Sequence, residues 1–207
     1  MEKMLIALTF DDGPNTVITP QILDILKEHK IKSTFFVNGR SIDEDSAKIM
    51  KRAHDSGHEI CNHSENHRPM TELTAGEIRD EINSTTEKIV AVTGKSPRFF
   101  RPPYIAVNDL MHEVIDLTFI EGIGCEDWLI TVSAEERCER ILRQVHDGAI
   151  ILLHDSDYNQ LTVEALKMLL PKLLFLGYEF VTVSQLFDRK GVTPEKGKIY
   201  TTVEKEG

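Results

Sequence analysis

The chain carries two adjacent carboxylates near its start, in the hexapeptide TFDDGP at residues 9–14. They follow the apolar run that begins at Met4, so we expect a buried strand to end beside them. Two neighbouring anions repel each other, and such a pair is tolerated where one binds a cation or where the two take different protonation roles. We therefore predict different functions for Asp11 and Asp12. An isolated Asp-Gly-Pro is ordinary turn chemistry, so the rest of the chain must decide between these interpretations.

The pentapeptide HSENH places His63 and His67 four positions apart. Together with Asp12 they form a set of three N/O ligands, which is typical of a catalytic divalent-metal site with an open position. A water on that ion is the expected nucleophile, and Asp11 is the candidate general base that takes its proton. We expect one ion, Zn by preference, with Co or Ni as alternatives. Cys61 is an alternative fourth ligand, although a small buried thiol is the favoured interpretation.

A second histidine of interest, His154, ends the apolar run 150–153. An imidazole at a strand end is suited to protonate a leaving amine or alkoxide as a general acid, and Leu152 is expected to line a small apolar pocket beside it. A lone histidine in this position is usually structural. The metal-binding pattern elsewhere in the chain favours the functional interpretation.

The tetrapeptide RPPY begins at Arg101. Its guanidinium is expected to orient Asp11, because a planar, permanently charged group suits a carboxylate. Pro103 fixes the backbone, and Tyr104 is expected to wall a groove.

The dipeptide Asp127-Trp128 contains the chain's one tryptophan. We expect Asp127 to hold Arg101 in place and Trp128 to offer the flat apolar face against which sugar rings pack. The ordinary alternatives are a surface ion pair and a core tryptophan.

These residues follow short apolar runs that alternate with amphipathic stretches, a pattern that predicts a parallel sheet. The runs are 4–8, 33–37, 58–62, 99–101, 119–124, 149–153 and 179–183. Helical spacing is clearest at 18–29, 75–92 and 163–176. About seven such units predict an α/β fold with a distorted (β/α) barrel, in which the carboxyl ends of the strands bring the polar side chains to one face. We expect residues 1–188 to form one catalytic domain and residues 189–207 a peripheral tail.

Composition narrows the choice of partner. The 207 residues have a formal net charge of -10, which disfavours nucleic acid because a polyanion would be repelled. No apolar run approaches the roughly 20 residues that a membrane-spanning helix needs.

The opening Met1-Glu2-Lys3-Met4 leaves no room for a signal peptide, which predicts a cytoplasmic protein, or an extracellular or cell-wall protein if a signal or anchor has been removed. The sequence does not indicate the oligomeric state.

The motifs TFDDGP, HSENH, RPPY, EDW and LLH, in this order, resemble those of the polysaccharide deacetylase family, the NodB-homology domain of family-four carbohydrate esterases. The resemblance extends from Leu5 to about Leu186. It implies a distorted barrel and metal-dependent removal of acetyl groups from N-acetylated sugar units, as in chitooligosaccharide or peptidoglycan. It assigns the base, ligand and acid roles given above, an acetyl pocket shaped by Leu152 and Trp128, and a backbone N–H of Tyr104 that helps hold the oxyanion.

Three positions depart from the usual pattern of that family. Ile105 follows RPPY in place of Gly, Gly124 replaces the first acid of DxxDW, and Cys61 stands where a small residue is typical. We still expect the chain to be active despite these three departures, but they leave its substrate preference open. The alternatives are an O-acetyl esterase acting on xylan or a similar glycan, a non-catalytic carbohydrate-binding relative and a metal-free relative that hydrolyses cyclic amides. The retained ligands, base and acid argue against the last two.

Overall fold

The computed structural model describes residues 3–204, in which strands and helices alternate as predicted. The strands are β1 (Met4–Asp11), β2 (Thr34–Val37), β3 (Glu59–Asn62), β4 (Phe99–Phe100), β5 (Thr118–Ile120), β6 (Ile150–His154), β7 (Tyr178–Val181) and β8 (Ile199–Tyr200). The helices are α1 (Ile18–Glu28), α2 (Glu44–Asp55), α3 (Ala75–Thr93), α4 (Asp109–Val114), α5 (Ala134–Gln144), α6 (Gln160–Phe175) and α7 (Val183–Lys190).

The strands form one sheet whose ladder pairings are all parallel, in the order β6-β1-β2-β3-β4-β5-β8, with β7 paired to β1. Beyond β5, a parallel bridge joins Ile123 to Ile151 of β6 and brings the two ends of the sheet together. The predicted distorted barrel of parallel strands is therefore confirmed.

The alternation of side chains along the strands explains both the core and the position of the polar residues. On β1, Ile6, Leu8 and Phe10 pack under the helices, whereas Leu5 and Ala7 face the barrel interior. Successive residues of a strand point to opposite faces, so the next interior positions of β1 are Thr9 and Asp11. A carboxylate therefore lies at the carboxyl end of an otherwise apolar interior row.

The described part of the tail departs from the sequence prediction, because β8 lies within it and pairs with β5. The Val203 amide donates to the Gly148 carbonyl (2.8 Å) and the Ile150 amide to the Thr201 carbonyl (3.2 Å), so the same segment also bonds the start of β6. Tyr200 and Val203 are buried. The expectation of a peripheral tail is wrong for residues 199–203, which fill the gap between β5 and β6; the domain boundary at residue 188 stays a prediction.

Other differences concern where elements begin and end. Strand β1 continues to Asp11, past the predicted end of its run, and β5 ends at Ile120, earlier than predicted. Helices α2, α4, α5 and α7 were not singled out by the sequence pattern. Within residues 3–204, no helix combines the length and apolar character that crossing a bilayer requires.

Candidate active site

The polar residues singled out by the sequence continue the interior rows of four strands. Asp11 ends β1, His63 follows β3, Arg101 follows β4 and His154 ends β6. Register places Asp11 directly beside His154 on the neighbouring strand. Because all these strands are parallel, their carboxyl ends open on one face of the barrel, as predicted.

Asp12, His63 and His67 form a compact group on this face, with ligand atoms within 4.8 Å of one another. The Asp12 Oδ1 atom lies 3.7 Å from His63 Nε2 and 3.6 Å from His67 Nε2. Ligands about 2.0–2.2 Å from a tetrahedral ion are separated from one another by roughly 3.3–3.6 Å. The three side chains therefore fit a single divalent ion with little rearrangement.

Hydrogen bonds hold both carboxylate oxygens of Asp12. The Asn38 side-chain amide donates to Asp12 Oδ1 (3.1 Å) and the Ser156 hydroxyl to Asp12 Oδ2 (2.9 Å). Burial by itself raises the pKa of Asp12, but the nearby histidines and the Ser156 hydrogen bond outweigh it, so the pKa lies below its usual value. Asp12 is therefore a carboxylate, the form that binds a cation. Sequence reasoning missed Asn38 and Ser156, since neither lies in a recognisable ligand pattern.

The tautomer of His63 follows from its one close partner. His63 Nδ1 lies 2.7 Å from the Arg101 carbonyl oxygen, which only accepts hydrogen bonds. The ring therefore carries its proton on Nδ1 and presents the Nε2 lone pair towards Asp12. Burial and the nearby His63 lower the pKa of His67, which favours the neutral, ligating form there too.

The loop that carries the two histidines is fixed to helix α3. Glu81 is buried and accepts hydrogen bonds from both the backbone amide (2.7 Å) and the side-chain amide (3.0 Å) of Asn66. Glu65 accepts from Thr85 (3.1 Å) and Lys88 (2.5 Å). Since the loop includes left-handed backbone at His67 (φ 54°), these anchors hold a conformation that the chain would not favour alone.

Asp11 and Arg101 form a buried ion pair, with 2.6 Å between Asp11 Oδ1 and Arg101 Nη1. Arg101 also donates to Thr9 Oγ1 (2.8 Å) and to the Glu121 carbonyl (2.5 Å), while its Nε has no hydrogen-bond partner among the described residues. The other carboxylate oxygen of Asp11 lies 3.8 Å from His63 Nε2. The predicted contact of Arg101 with Asp11 is therefore present.

The predicted contact between Asp127 and Arg101 is wrong: Asp127 holds His154 instead. Its Oδ1 accepts from His154 Nδ1 (2.8 Å) and its Oδ2 from the His154 backbone amide (2.8 Å). The physical reason lies in the irregular segment after β5, which includes left-handed backbone at Glu126 (φ 57°) and carries Asp127 to the β6 side of the barrel.

This pairing sets the charge of His154. Burial alone lowers the pKa of an imidazole, but the charge and hydrogen bond of Asp127, aided by the charges of Asp11 and Asp12, raise the pKa of His154 to about 9. The ring is therefore an imidazolium at neutral pH, with Nδ1–H on Asp127 and Nε2–H left to donate. That is the state a general acid needs before reaction.

The residues predicted to contact the substrate differ in their exposure to solvent. Tyr104 and Trp128 are exposed, and their rings lie 4.7 Å from that of His67 and 5.5 Å from that of His154, between centroids. Leu152 and Pro103 are buried. A cleft of about 520 Å³ opens on the other side of Asp12, and Arg40 and Tyr158, which the sequence did not single out, line it.

Asp155 is a further residue that sequence reasoning missed. It is buried beside the first loop, where it accepts from the Gly13 amide (3.0 Å) and the Thr19 hydroxyl (2.5 Å). Burial raises the pKa of Asp155 to about 7, and the nearby Asp11 and Asp12 charges act in the same direction. Asp155 thus ties the β1 loop to the end of β6.

The three departures from the family pattern have distinct structural settings. Tyr104 and Ile105 both adopt left-handed backbone (φ 59° and 54°), which Gly tolerates better than a β-branched residue. A Cβ added at Gly124 would meet only the Leu152 carbonyl, at 3.8 Å, so this position leaves open space. Cys61 packs in the barrel interior and is not part of the metal-binding group found among the described residues.

Comparison with known proteins yields a consistent set of relatives. Residues 1–119 match the family model described as polysaccharide deacetylase. The chain is 44% identical over 202 residues to a bifunctional xylanase/deacetylase of Pseudobutyrivibrio xylanivorans, covering 97% of this chain and 33% of that protein. It is 39% identical over 186 residues to the peptidoglycan-N-acetylglucosamine deacetylase PgdA of Listeria monocytogenes, covering 89% of this chain and 39% of that protein. The chain thus spans about a third to two fifths of the length of these curated relatives.

A solved structure adds evidence on the fold and the metal. The family 4 acetyl xylan esterase from Clostridium thermocellum, in complex with a cobalt ion, has 40% sequence identity and a TM-score of 0.93, with 96% of this chain and 98% of that chain covered. The cobalt ion of that relative and the Asp12-His63-His67 group together support a divalent-metal site in this chain.

Proposed function

This chain belongs to the polysaccharide deacetylase family, and on that premise we propose that it hydrolyses acetyl groups from N-acetylated sugar units of a poly- or oligosaccharide of the chitooligosaccharide or peptidoglycan type. The observation that carries this proposal is the arrangement of a base and a charged acid around one three-ligand group. Asp11 and His154 are adjacent in register on β1 and β6, beside Asp12 and its two histidines.

The chain's own residues divide the proton transfers between them. Asp11, held by Arg101, takes a proton from the attacking water. His154, charged through its contact with Asp127, donates its Nε2 proton to the departing amine. A divalent ion bound by Asp12, His63 and His67 would polarise the acetyl carbonyl and acidify the water. We propose Zn, with Co and Ni as alternatives, because imidazole and carboxylate ligands suit all three.

The proposed substrate contacts combine exposed aromatic rings with a buried apolar wall. Tyr104, beside His67, and Trp128, beside His154, offer ring faces to the sugar, while Leu152 and Pro103 form the apolar wall that receives the acetyl methyl group. The Tyr104 backbone N–H is proposed to help stabilise the oxyanion. The acetylated carbohydrate is thus the proposed partner, and the cellular location stays a prediction.

A second candidate is O-acetyl esterase activity on acetylated xylan. It is favoured by the relatives, since one is a bifunctional xylanase/deacetylase and another an acetyl xylan esterase. The same residues serve both reactions, and an alkoxide needs less help than an amine to depart. Amide and ester cleavage therefore differ chiefly in how strongly each depends on His154.

The decisive experiment is acetate release from chitooligosaccharides and from acetylated xylan in parallel, with chelator and with metal added back. Asp11→Asn and His154→Ala test the base and the acid, and Asp116→Asn, an exposed aspartate that pairs with Lys196, is the matched control. We expect metal-dependent release that Asp11→Asn abolishes and Asp116→Asn leaves intact. Release from neither glycan, with metal shown to be bound, would contradict the proposed function.

A further inference from the structure

A second arginine, Arg137 of helix α5, is almost completely buried behind the acid, at 2% exposure. Its guanidinium donates to the Leu129 carbonyl (3.0 Å), the Val132 carbonyl (3.0 Å), the Asn159 side-chain carbonyl (2.6 Å) and the Thr162 hydroxyl (2.9 Å). All of these acceptors are uncharged. Burying a cation without a direct carboxylate partner is unfavourable, because the charge loses its hydration and gains no opposite charge in contact, so the position requires an explanation.

The two side chains that accept from Arg137 also contact Asp127. Thr162 Oγ1 lies 2.8 Å and Asn159 Nδ2 3.2 Å from Asp127 Oδ2. Arg137 touches no carboxylate itself, but it stands one side chain away from the carboxylate that holds the acid. The described residues thus form a continuous chain of hydrogen bonds from α5 to His154.

Donor and acceptor chemistry fixes the direction of this chain. A guanidinium has only donors, so the atom of Asn159 that faces it must be the carbonyl oxygen, and the amide NH₂ must face Asp127. A threonine hydroxyl has one proton; because its oxygen accepts from Arg137, that proton is free for Asp127. Arg137 therefore turns two neutral side chains, each able to donate or accept, into donors towards Asp127.

The consequence for Asp127 concerns its two oxygen atoms. Oδ2 receives three donors, from Thr162, Asn159 and the His154 backbone amide. Oδ1 is left to accept from the His154 ring at 2.8 Å. With Oδ2 fixed in this way, the carboxylate cannot rotate without losing three hydrogen bonds, so the imidazole it orients is held as well.

We propose that Arg137 is a positioning residue for the general acid, acting by directing Asn159 and Thr162 onto Asp127. It touches neither substrate nor reacting atoms. This inference rests on the proposed function, because the acid it serves is that of the proposed hydrolysis.

The test is a double-mutant cycle on acetate release. Arg137→Met keeps the volume and removes the donors, and we expect kcat to fall about 10- to 100-fold, as for partners one step removed from a reacting centre, with KM little changed. In an Asp127→Asn background the same change should cost less than about twofold, because its route to His154 is already broken. A similar loss of kcat in both backgrounds, or none in either, would overturn the proposal.

A readout independent of activity separates this inference from the proposed function. In the metal-free protein, the His154 Nδ1 proton should give a downfield NMR signal that the wild type and Arg143→Met retain and Arg137→Met loses or shifts. Arg143, on the same helix, is a matched control that pairs with the exposed Glu139 and does not contact the segment around Asp127. An unchanged signal in Arg137→Met would contradict the inference even if the wild type released no acetate.

A milder variant covers the case in which Arg137→Met does not fold. Thr162→Val keeps the shape and removes one of the two donors that Arg137 directs. We expect it to fold, to weaken the His154 signal and to lower kcat by less than Arg137→Met. A Thr162→Val protein with an unchanged signal and unchanged kcat would refute the route through Thr162.

Discussion

Replacing Asp127 with Asn tests the electrostatic account of the acid most directly. Asp127 is the main cause that raises the pKa of His154 to about 9 against the burial that lowers it. In Asp127→Asn that support disappears, while burial and the opposing charges of Asp11 and Asp12 remain, so we expect the pKa of His154 to fall from about 9 towards its ordinary value of 6.5. At pH 7 the ring would change from about 99% protonated towards about a quarter protonated.

The magnitude follows from the size of the shift. A rise from 6.5 to about 9 corresponds to about 3 kcal/mol at about 1.4 kcal/mol per pKa unit. Because the pKa is raised in the folded state, this stability is fully present below pH 6.5 and is lost as the pH rises through 9. The free energy of unfolding of wild type should therefore exceed that of Asp127→Asn by about 3 kcal/mol more at pH 6 than at pH 10.

Two assays check this expectation. Histidine NMR titration of the metal-free protein gives the pKa of His154 directly, and urea unfolding at several pH values gives the linked stability. In the loaded enzyme, kcat should fall about 100-fold or more, as when a general acid is lost, and the basic limb of the pH profile should move to lower pH. If His154 in Asp127→Asn still titrates above about pH 8, the reasoning is refuted. Asp116→Asn, on the surface, should leave the His154 titration unchanged.

Three further predictions concern the metal site and strand β8, which lies in the gap between β5 and β6. Glu81→Gln should weaken Zn binding about 10-fold, because it disturbs the bonds that hold Asn66 and the loop; competition with a chromophoric chelator measures this, and unchanged affinity would contradict it. Zn at about 100 times its Kd should stabilise the wild type by about 2.7 kcal/mol against unfolding, and the effect should be absent in Asp12→Asn. Tyr200→Ala should cost about 3 kcal/mol or more in urea unfolding, since it removes a buried aromatic side chain, whereas Lys196→Ala on the surface should cost less than about 0.5 kcal/mol.

Regular periodicity explains why much of the site could be predicted. Asp11, His63, Arg101 and His154 all continue strands whose side chains alternate between two faces. Once the runs are recognised as parallel strands, geometry alone brings their ends together. Pairwise contacts within regular elements can therefore be derived from spacing.

Contacts made by irregular segments could not be derived in this way. The partner of Asp127 depends on how the chain turns after β5, where the left-handed Glu126 has no sequence signature. The anchors Glu81 and Arg137 lie on helices, 15 and 22 residues along the chain from the side chains they hold, and each looks like an ordinary charged residue of a helix. Strand β8 has two residues, too few for any period to be visible.

The central position of β1 has a consequence for how the protein is made. β1 is synthesised first, yet the partner strand that completes the site, β6, comes about 140 residues later, as the pairing of Thr9 with Leu152 illustrates. The seam beside β6 is filled later still, by residues 199–203. A chain emerging from the ribosome therefore presents its base and its metal ligands before the acid that completes the site, and contacts so distant in sequence form slowly. Catalytic competence and closure of the barrel should arrive together, in a single late step, and no shorter N-terminal fragment should show a fraction of the activity.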